Sequence, residues 1–158
     1  MASIDDYTSG RVLEFARQAL LILKASDDSL AGTQVGEKLL AEISKSAPRM
    51  LDMASALRQV QAARQCAVGP RVCYAINPEA EFTEAVFLDE LAEGMVAAGK
   101  AKMVSKPEAI NVLAKYKKNL LVMSLVSGKP LELCRTSAET CLCWNMERRG
   151  LKCVQKNP

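Results

Sequence analysis

Leu120-Leu121-Val122-Met123-Ser124-Leu125-Val126, then Ser127-Gly128-Lys129, then Pro130-Leu131-Glu132-Leu133-Cys134, is where the hydrophobic period of this chain changes. Residues up to about 118 carry apolar side chains mostly at helical spacing. This run is continuous, apolar and β-favouring, and a turn triplet interrupts it. It predicts a small β-hairpin. Immediately upstream, Ser105-Lys106-Pro107-Glu108 is a capping box with proline in the first turn, which opens a short helix through Lys118. Before that, Val86, Phe87, Leu91 and Met95 fall on one side of a helix expected from about Thr83 to near Gly99. From Thr83 to Cys134 the order is helix, helix, strand, turn, strand, which is winged-helix-like. A last helix is expected after Ser137, ending near Gly150.

Further outward, residues 9–25 repeat Val12, Phe15, Ala16, Ala19, Leu20 and Leu23 at helical spacing, and Asp27-Asp28-Ser29 interrupts them. Thr33 is the expected N-cap of a second helix bearing Val35, Leu39, Leu40 and Ile43. Pro48 suits the first turn of a third, with Met50, Met53, Leu57 and Val60 as its core stripe. Residues 66–81 hold Gly69, Pro70, Asn77 and Pro78 and read mostly as loop. The expected fold is mainly α. A helical bundle over 1–65 precedes a cysteine-rich, winged-helix-like α+β part over 66–158, the two packed on one shared core.

The chain has 158 residues, 49% of them hydrophobic and 4% aromatic, enough for one compact core. The net charge of +3 lies entirely beyond residue 65, since residues 1–65 carry eight acidic and eight basic side chains. No concentrated basic stripe marks a nucleic-acid binder. The polar, acidic N-terminus lacks a cationic n-region, and the longest apolar run, Ala19 to Leu23, is too short to span a bilayer. A cytoplasmic protein is expected, with no membrane partner. In that compartment thiols stay reduced, and clustered cysteines read as metal or redox sites.

Six cysteines carry the chemistry. Cys66-x6-Cys73 and Cys134-x6-Cys141 share one spacing, with Cys143 and Cys153 behind the second pair. With no histidine in the chain, a Ser-His-Asp or Cys-His catalytic arrangement is impossible and any metal must rest on thiolates. No Walker A or dinucleotide fingerprint is present either. The expected ligands are Cys66, Cys73, Cys134 and Cys141, with Cys143 as substitute for Cys141, because positions two apart on a helix diverge by about 200°. Cys153, in a basic tail, ranks last. The alternative is that these cysteines are small buried hydrophobes or redox thiols. Trp144 is either a shield for the site or ordinary core. Glu84, Asp89, Glu90 and Glu93 read as a solvated helix face, and Lys115, Lys117 and Lys118 as stabilisers of a helix end.

From the first cysteine onward the order of elements resembles a known module. Gly99-Lys100-Ala101-Lys102-Met103-Val104-Ser105-Lys106-Pro107-Glu108-Ala109-Ile110 is similar to a G-K-A-R-x-V-S-x-E-E-A-L segment, and Asn119-Leu120-Leu121-Val122-Met123 stands where a strand follows. Lys129 to Cys134 leads into the late cysteines, and Cys66 and Cys73 take the upstream cysteine position. Over about residues 64–146 the chain thus resembles the cysteine-rich module that precedes ferredoxin domains in iron–sulfur proteins of anaerobic microbes. The resemblance implies a cluster of the 4Fe–4S type shared between the two cysteine groups. The function expected is a small iron–sulfur protein in electron transfer or redox sensing, more a relay than an enzyme. Its partners would be a redox protein and a second copy docking through the N-terminal helices. The alternatives are a winged-helix-like redox- or metal-sensing transcription regulator and a structural zinc interaction module.

Overall fold

A computed structural model describes residues 2–26, 28–76 and 84–156, with the backbone alone at residues 74 and 75. The hairpin forms as β5 (Leu120–Val126) and β6 (Lys129–Thr136), in register from Leu120↔Thr136 to Val126↔Lys129 with a slip between Ser124 and Leu125. Ser127 and Gly128 both adopt positive φ, 52° and 76°, as the tight two-residue hairpin turn requires. The hairpin is not a small appendage, however. β1 (Arg49–Met50) pairs with β5, and β6 pairs on its other edge with β3 (Glu84–Leu88). Beyond it lie β2 (Cys66–Pro70) and β4 (Lys102–Val104), completing an antiparallel sheet of order β1-β5-β6-β3-β2-β4.

The architecture is therefore mixed α/β on a six-stranded sheet. It is not the mainly α fold with a helical bundle and a winged-helix-like hairpin. Two segments account for the difference. Cys66-Ala67-Val68-Gly69-Pro70 reads as loop from its glycine and proline but pairs on both edges, with proline at the strand's last position. Ala85, Val86, Phe87 and Leu88 fit a buried strand as well as one side of a helix, and a short apolar run cannot distinguish the two by period. The helix expected from Thr83 begins only at Asp89; Thr83 itself, like the expected loop over 77–81 and the break at Asp27, lies outside the described residues.

The helices are α1 (Ile4–Thr8), α2 (Arg11–Lys24), α3 (Gln34–Ser44), α4 (Met53–Ala62), α5 (Val72–Ile76), α6 (Asp89–Ala97), α7 (Lys106–Lys115) and α8 (Leu142–Arg148). Thr33 caps α3 by accepting from the Gly36 amide, and Ser105 and Glu108 form the capping box of α7. Pro48 does not open a helix, because Asp52 caps α4 instead.

Paired residues of an antiparallel ladder share a face, and successive residues alternate. Ala85, Cys134 and Val122 thus point to one face, the front, and Val86, Leu133 and Met123 to the back. On the front, Tyr7 of α1 reaches Glu132, and Gly94 of α6 faces Ile4 and Thr8 of α1. On the back, Arg135 donates through Nε to the Leu113 carbonyl of α7 at 2.8 Å and through Nη2 to Met53 Sδ of α4 at 3.5 Å. Core clusters mix early and late residues: Tyr7, Ala56 and Val60 pack with the sheet, and Ala16, Leu20 and Leu23 pack with Leu142, Met146 and Leu151. Among the described residues, no helix is long and apolar enough to cross a membrane.

Gly69 lies in β2 rather than in a turn, and a Cβ there would stand 2.5 Å from the Lys100 carbonyl oxygen and 3.1 Å from Phe87. A backbone oxygen cannot swing aside as a side-chain end can. Gly69→Ala is expected to destabilise by about 1–3 kcal/mol, read as a lower urea midpoint at unchanged slope. An unmoved midpoint would contradict this close approach.

Candidate functional site

Cys134 enters the front face of β6 because Leu133 and Arg135, its neighbours, are committed to the back. Cys73 comes from α5 and Cys141 and Cys143 from the start of α8, so three separate segments meet. With Arg71, Glu132, Thr136 and Val122 these four cysteines line one cavity of about 330 Å³, to which Val12, Phe15 and Ile43 contribute apolar wall. Cys141 is the N-cap of α8, in extended conformation (φ −71°, ψ 131°), and not a helical residue. The helical divergence expected between it and Cys143 therefore does not arise. Asn145 pins this corner, its Nδ2 donating to the carbonyls of Cys141 at 2.9 Å and Glu139 at 3.0 Å.

Cys66 is not brought to this cavity. It pairs with Leu88 and Val104, and so shares the back face with Val86 and Leu133 while Cys134 lies in front. It is buried in the main core, where desolvation raises its thiol pKa against the pull of Lys106. The Gly69-Pro70 segment between Cys66 and Cys73 continues the strand instead of folding the two sulfurs together. Conversely, Cys153 is far better placed than its tail position suggested. Its amide and that of Val154 both donate to the buried Glu147 Oε1, at 3.0 and 2.9 Å, and its Sγ lies 3.6 Å from the Cys143 carbonyl oxygen.

The thiols are linked in a chain. Cys73, Cys141 and Cys143 share the cavity, the titration of Cys141 is tied to both of the others, and that of Cys143 in turn to Cys153, whose Sγ meets its carbonyl oxygen. The two neighbouring thiols, with the backbone amides of Trp144 and Cys143, hold the Cys141 thiol well below its usual pKa despite its burial. Donating to that sulfur pushes Cys73 and Cys143 well above theirs, and burial adds to the rise. One negative charge is thus most easily carried at Cys141. Cys134 differs: burial outweighs the Arg71 guanidinium, whose Nη1 lies 4.0 Å from Sγ, and pushes its pKa up to about 12. It remains a thiol donating to the Arg135 carbonyl at 3.3 Å, the oxygen that Arg71 Nη1 also contacts at 3.1 Å. Among the described residues, no group of three or more Cys, Asp or Glu side chains is arranged to hold a metal ion.

Arg71, Glu132 and Tyr7 did not stand out in the sequence, although a charged residue beside each cysteine group was the available signal. Arg71 is 2% exposed. Tyr7 Oη donates to Glu132 Oε1 at 3.0 Å, and burial raises the Glu132 carboxyl to about 7 although that hydrogen bond lowers it. Trp144 is buried beside Cys141 and Val122, its Nε1 donating to Thr136 Oγ1 at 2.7 Å, so it both packs the core and walls the site. Of the acidic group, Asp89 accepts from the Arg64 amide and Glu90 pairs with Lys129 at 3.1 Å. No family model matches this chain, and no curated protein or solved structure is significantly similar to it.

The Glu132 carboxyl sets a pH dependence. With its pKa raised from 4.5 to about 7, the folded protein holds a proton that the unfolded chain has released between those values. Stability of the reduced, metal-free protein should therefore fall as pH rises through that window, by on the order of 3 kcal/mol from this group, and level off above it. The difference between the wild-type and Glu132→Gln curves isolates the effect. Parallel curves from pH 4.5 to 7 would exclude it.

Proposed function

We propose that this chain binds an iron–sulfur cluster of the 4Fe–4S type through Cys73, Cys134, Cys141 and Cys143, and serves electron transfer or redox sensing in the cytoplasm. The observation that carries this reading is that four cysteines from three chain segments line one cavity, in a protein without histidine; their side chains would have to draw together on binding, since they form no metal-holding group as they stand. Four thiolates are the usual complement of such a cluster. The set differs from the one expected of the sequence by exchanging Cys66 for Cys143.

The surroundings fit an anionic, redox-active group. Ligation replaces thiol protons, and Cys141 releases its own most readily. The buried Arg71 beside Cys134 offers positive charge where thiolate charge would gather. Trp144, Val122 and Phe15 limit water access, which together with hydrogen bonds to sulfur sets a cluster's potential. Bound there, the cluster would supply one-electron chemistry. Arg11, Glu42 and Lys45 also line the cavity with solvent-exposed side chains and are suited to meeting a redox partner protein.

A second reading is thiol redox chemistry without metal, favoured by the neighbouring thiols of Cys73, Cys141 and Cys143 on one cavity with Cys153 beside Cys143. A regulator of winged-helix type has less support, because β5 and β6 are interior strands and leave no free wing.

Protein purified without oxygen should be brown, absorb broadly near ~400 nm, and hold about four irons with matching acid-labile sulfide. Cys73→Ser, Cys134→Ser, Cys141→Ser and Cys143→Ser should each lose most of that iron, while Cys66→Ser keeps it. A colourless protein with one zinc would make the site structural. Absence of any metal would leave the thiol reading in its place.

A further inference from the structure

The thiol chain has an order that the cluster alone does not require. Cys73, Cys141 and Cys143 line one cavity, Cys143 and Cys153 pack in one cluster with Cys141, and Cys153 Sγ lies 3.6 Å from the Cys143 carbonyl oxygen. Electrostatic coupling runs in the same order, Cys73 to Cys141, Cys141 to Cys143 and Cys143 to Cys153. Cys153 lies outside the four cysteines lining the cavity, yet it is held at the chain's end by its own anchors. Glu147 accepts from its amide and the next, Val154 is buried, and the Gln155 amide donates to the Pro48 carbonyl at 2.9 Å. Such anchoring keeps one thiol against Cys143 in the reduced protein.

We propose that oxidation by hydrogen peroxide closes this chain into two disulfides, Cys73–Cys141 and Cys143–Cys153, with Cys153 as the resolving thiol that pulls Cys143 out of the cluster site. Each closure begins with attack of one sulfur on a peroxide oxygen. The S–O bond forms as the O–O bond breaks, giving a sulfenic acid and one water. The partner sulfur then displaces the hydroxyl group, which leaves as a second water with the partner's proton, and the S–S bond forms. Two electrons pass from each thiol pair to one peroxide. Pairing of Cys141 with Cys143 is disfavoured, because only Leu142 separates them and Cys143 is fixed in α8. Cys134 stays out, held against Arg71 and the Arg135 carbonyl, and Cys66 lies behind the sheet.

The consequence for the cluster rests on the reading given under Proposed function. Two disulfides remove three of the four ligands, so peroxide would discharge the iron until a reductant reopens them. The thiol pairing itself does not depend on metal, and the two readings fail separately.

Reduced, metal-free protein is treated with hydrogen peroxide, thiols are counted under denaturing conditions, and peptides are mapped without reduction. About two equivalents should take the count from six thiols to those of Cys66 and Cys134, with both cross-links present. In Cys153→Ser the same treatment should link only Cys73 with Cys141 and leave Cys143 free, while anaerobic iron loading stays at the wild-type level. A Cys141–Cys143 link, links between chains, or sulfinic acids without links would overturn the pairing. Loss of iron in Cys153→Ser would overturn the resolving role by making that residue a ligand. Absence of iron in the wild type removes only the cluster consequence.

Discussion

The pleat of β6 sends Glu132, Cys134 and Thr136 to the front of the sheet and Leu133 and Arg135 to the back, and both sides of the molecule are organised by that alternation. On the back, Arg135 spends its donors on the carbonyls of Leu113 and Asn119, tying α7 and the loop after it to the sheet. On the front, Glu132 receives Tyr7 of α1, Cys134 faces the cavity, and Thr136 receives Trp144 of α8. Because β6 is hydrogen-bonded on both edges, its register cannot slip without moving every one of these contacts to the wrong face.

The chemistry of the resulting cavity follows from which sulfur has donors. Cys141 has two thiols and two backbone amides around it, so it holds negative charge most cheaply. Cys134 faces a guanidinium, yet burial keeps its proton in place. Metal binding would replace several thiol protons at once, which makes occupancy of such a site pH-dependent. The proposed oxidation would act on the same sulfurs. If both proposals hold, metal capture and disulfide formation would compete for Cys73, Cys141 and Cys143.

The C-terminal segment is part of this arrangement rather than a trailing end. Leu142 and Met146 of α8 pack on α2, while Trp144 packs toward β5, so this seven-residue helix is fixed from two sides. After the turn at Gly150, residues 151–155 return along β1, where the Met50 amide donates to the Gln155 carbonyl at 2.8 Å. Glu147 joins the helix to that return and is flanked by Lys156 at 3.2 Å, which balances a carboxylate only 8% exposed.

Local chemistry was legible in the residues themselves. Thr33 and the Ser105–Glu108 box announce helix starts because a side chain satisfies amides three positions away, and Ser127-Gly128 announces a hairpin because both positions need positive φ. That any metal site here would have to do without histidine follows from composition alone. Tertiary structure decided the rest. Whether Cys66-Ala67-Val68 and Ala85-Val86-Phe87 are loop, helix or strand depends on partners 16 or more positions apart, and their apolar runs suit more than one answer. That same pairing sends Cys66 to the back of the sheet and leaves Cys73, Cys134, Cys141 and Cys143 together in front. No spacing along the chain encodes which face of a sheet a sulfur will occupy, because the face is set by the register with other strands.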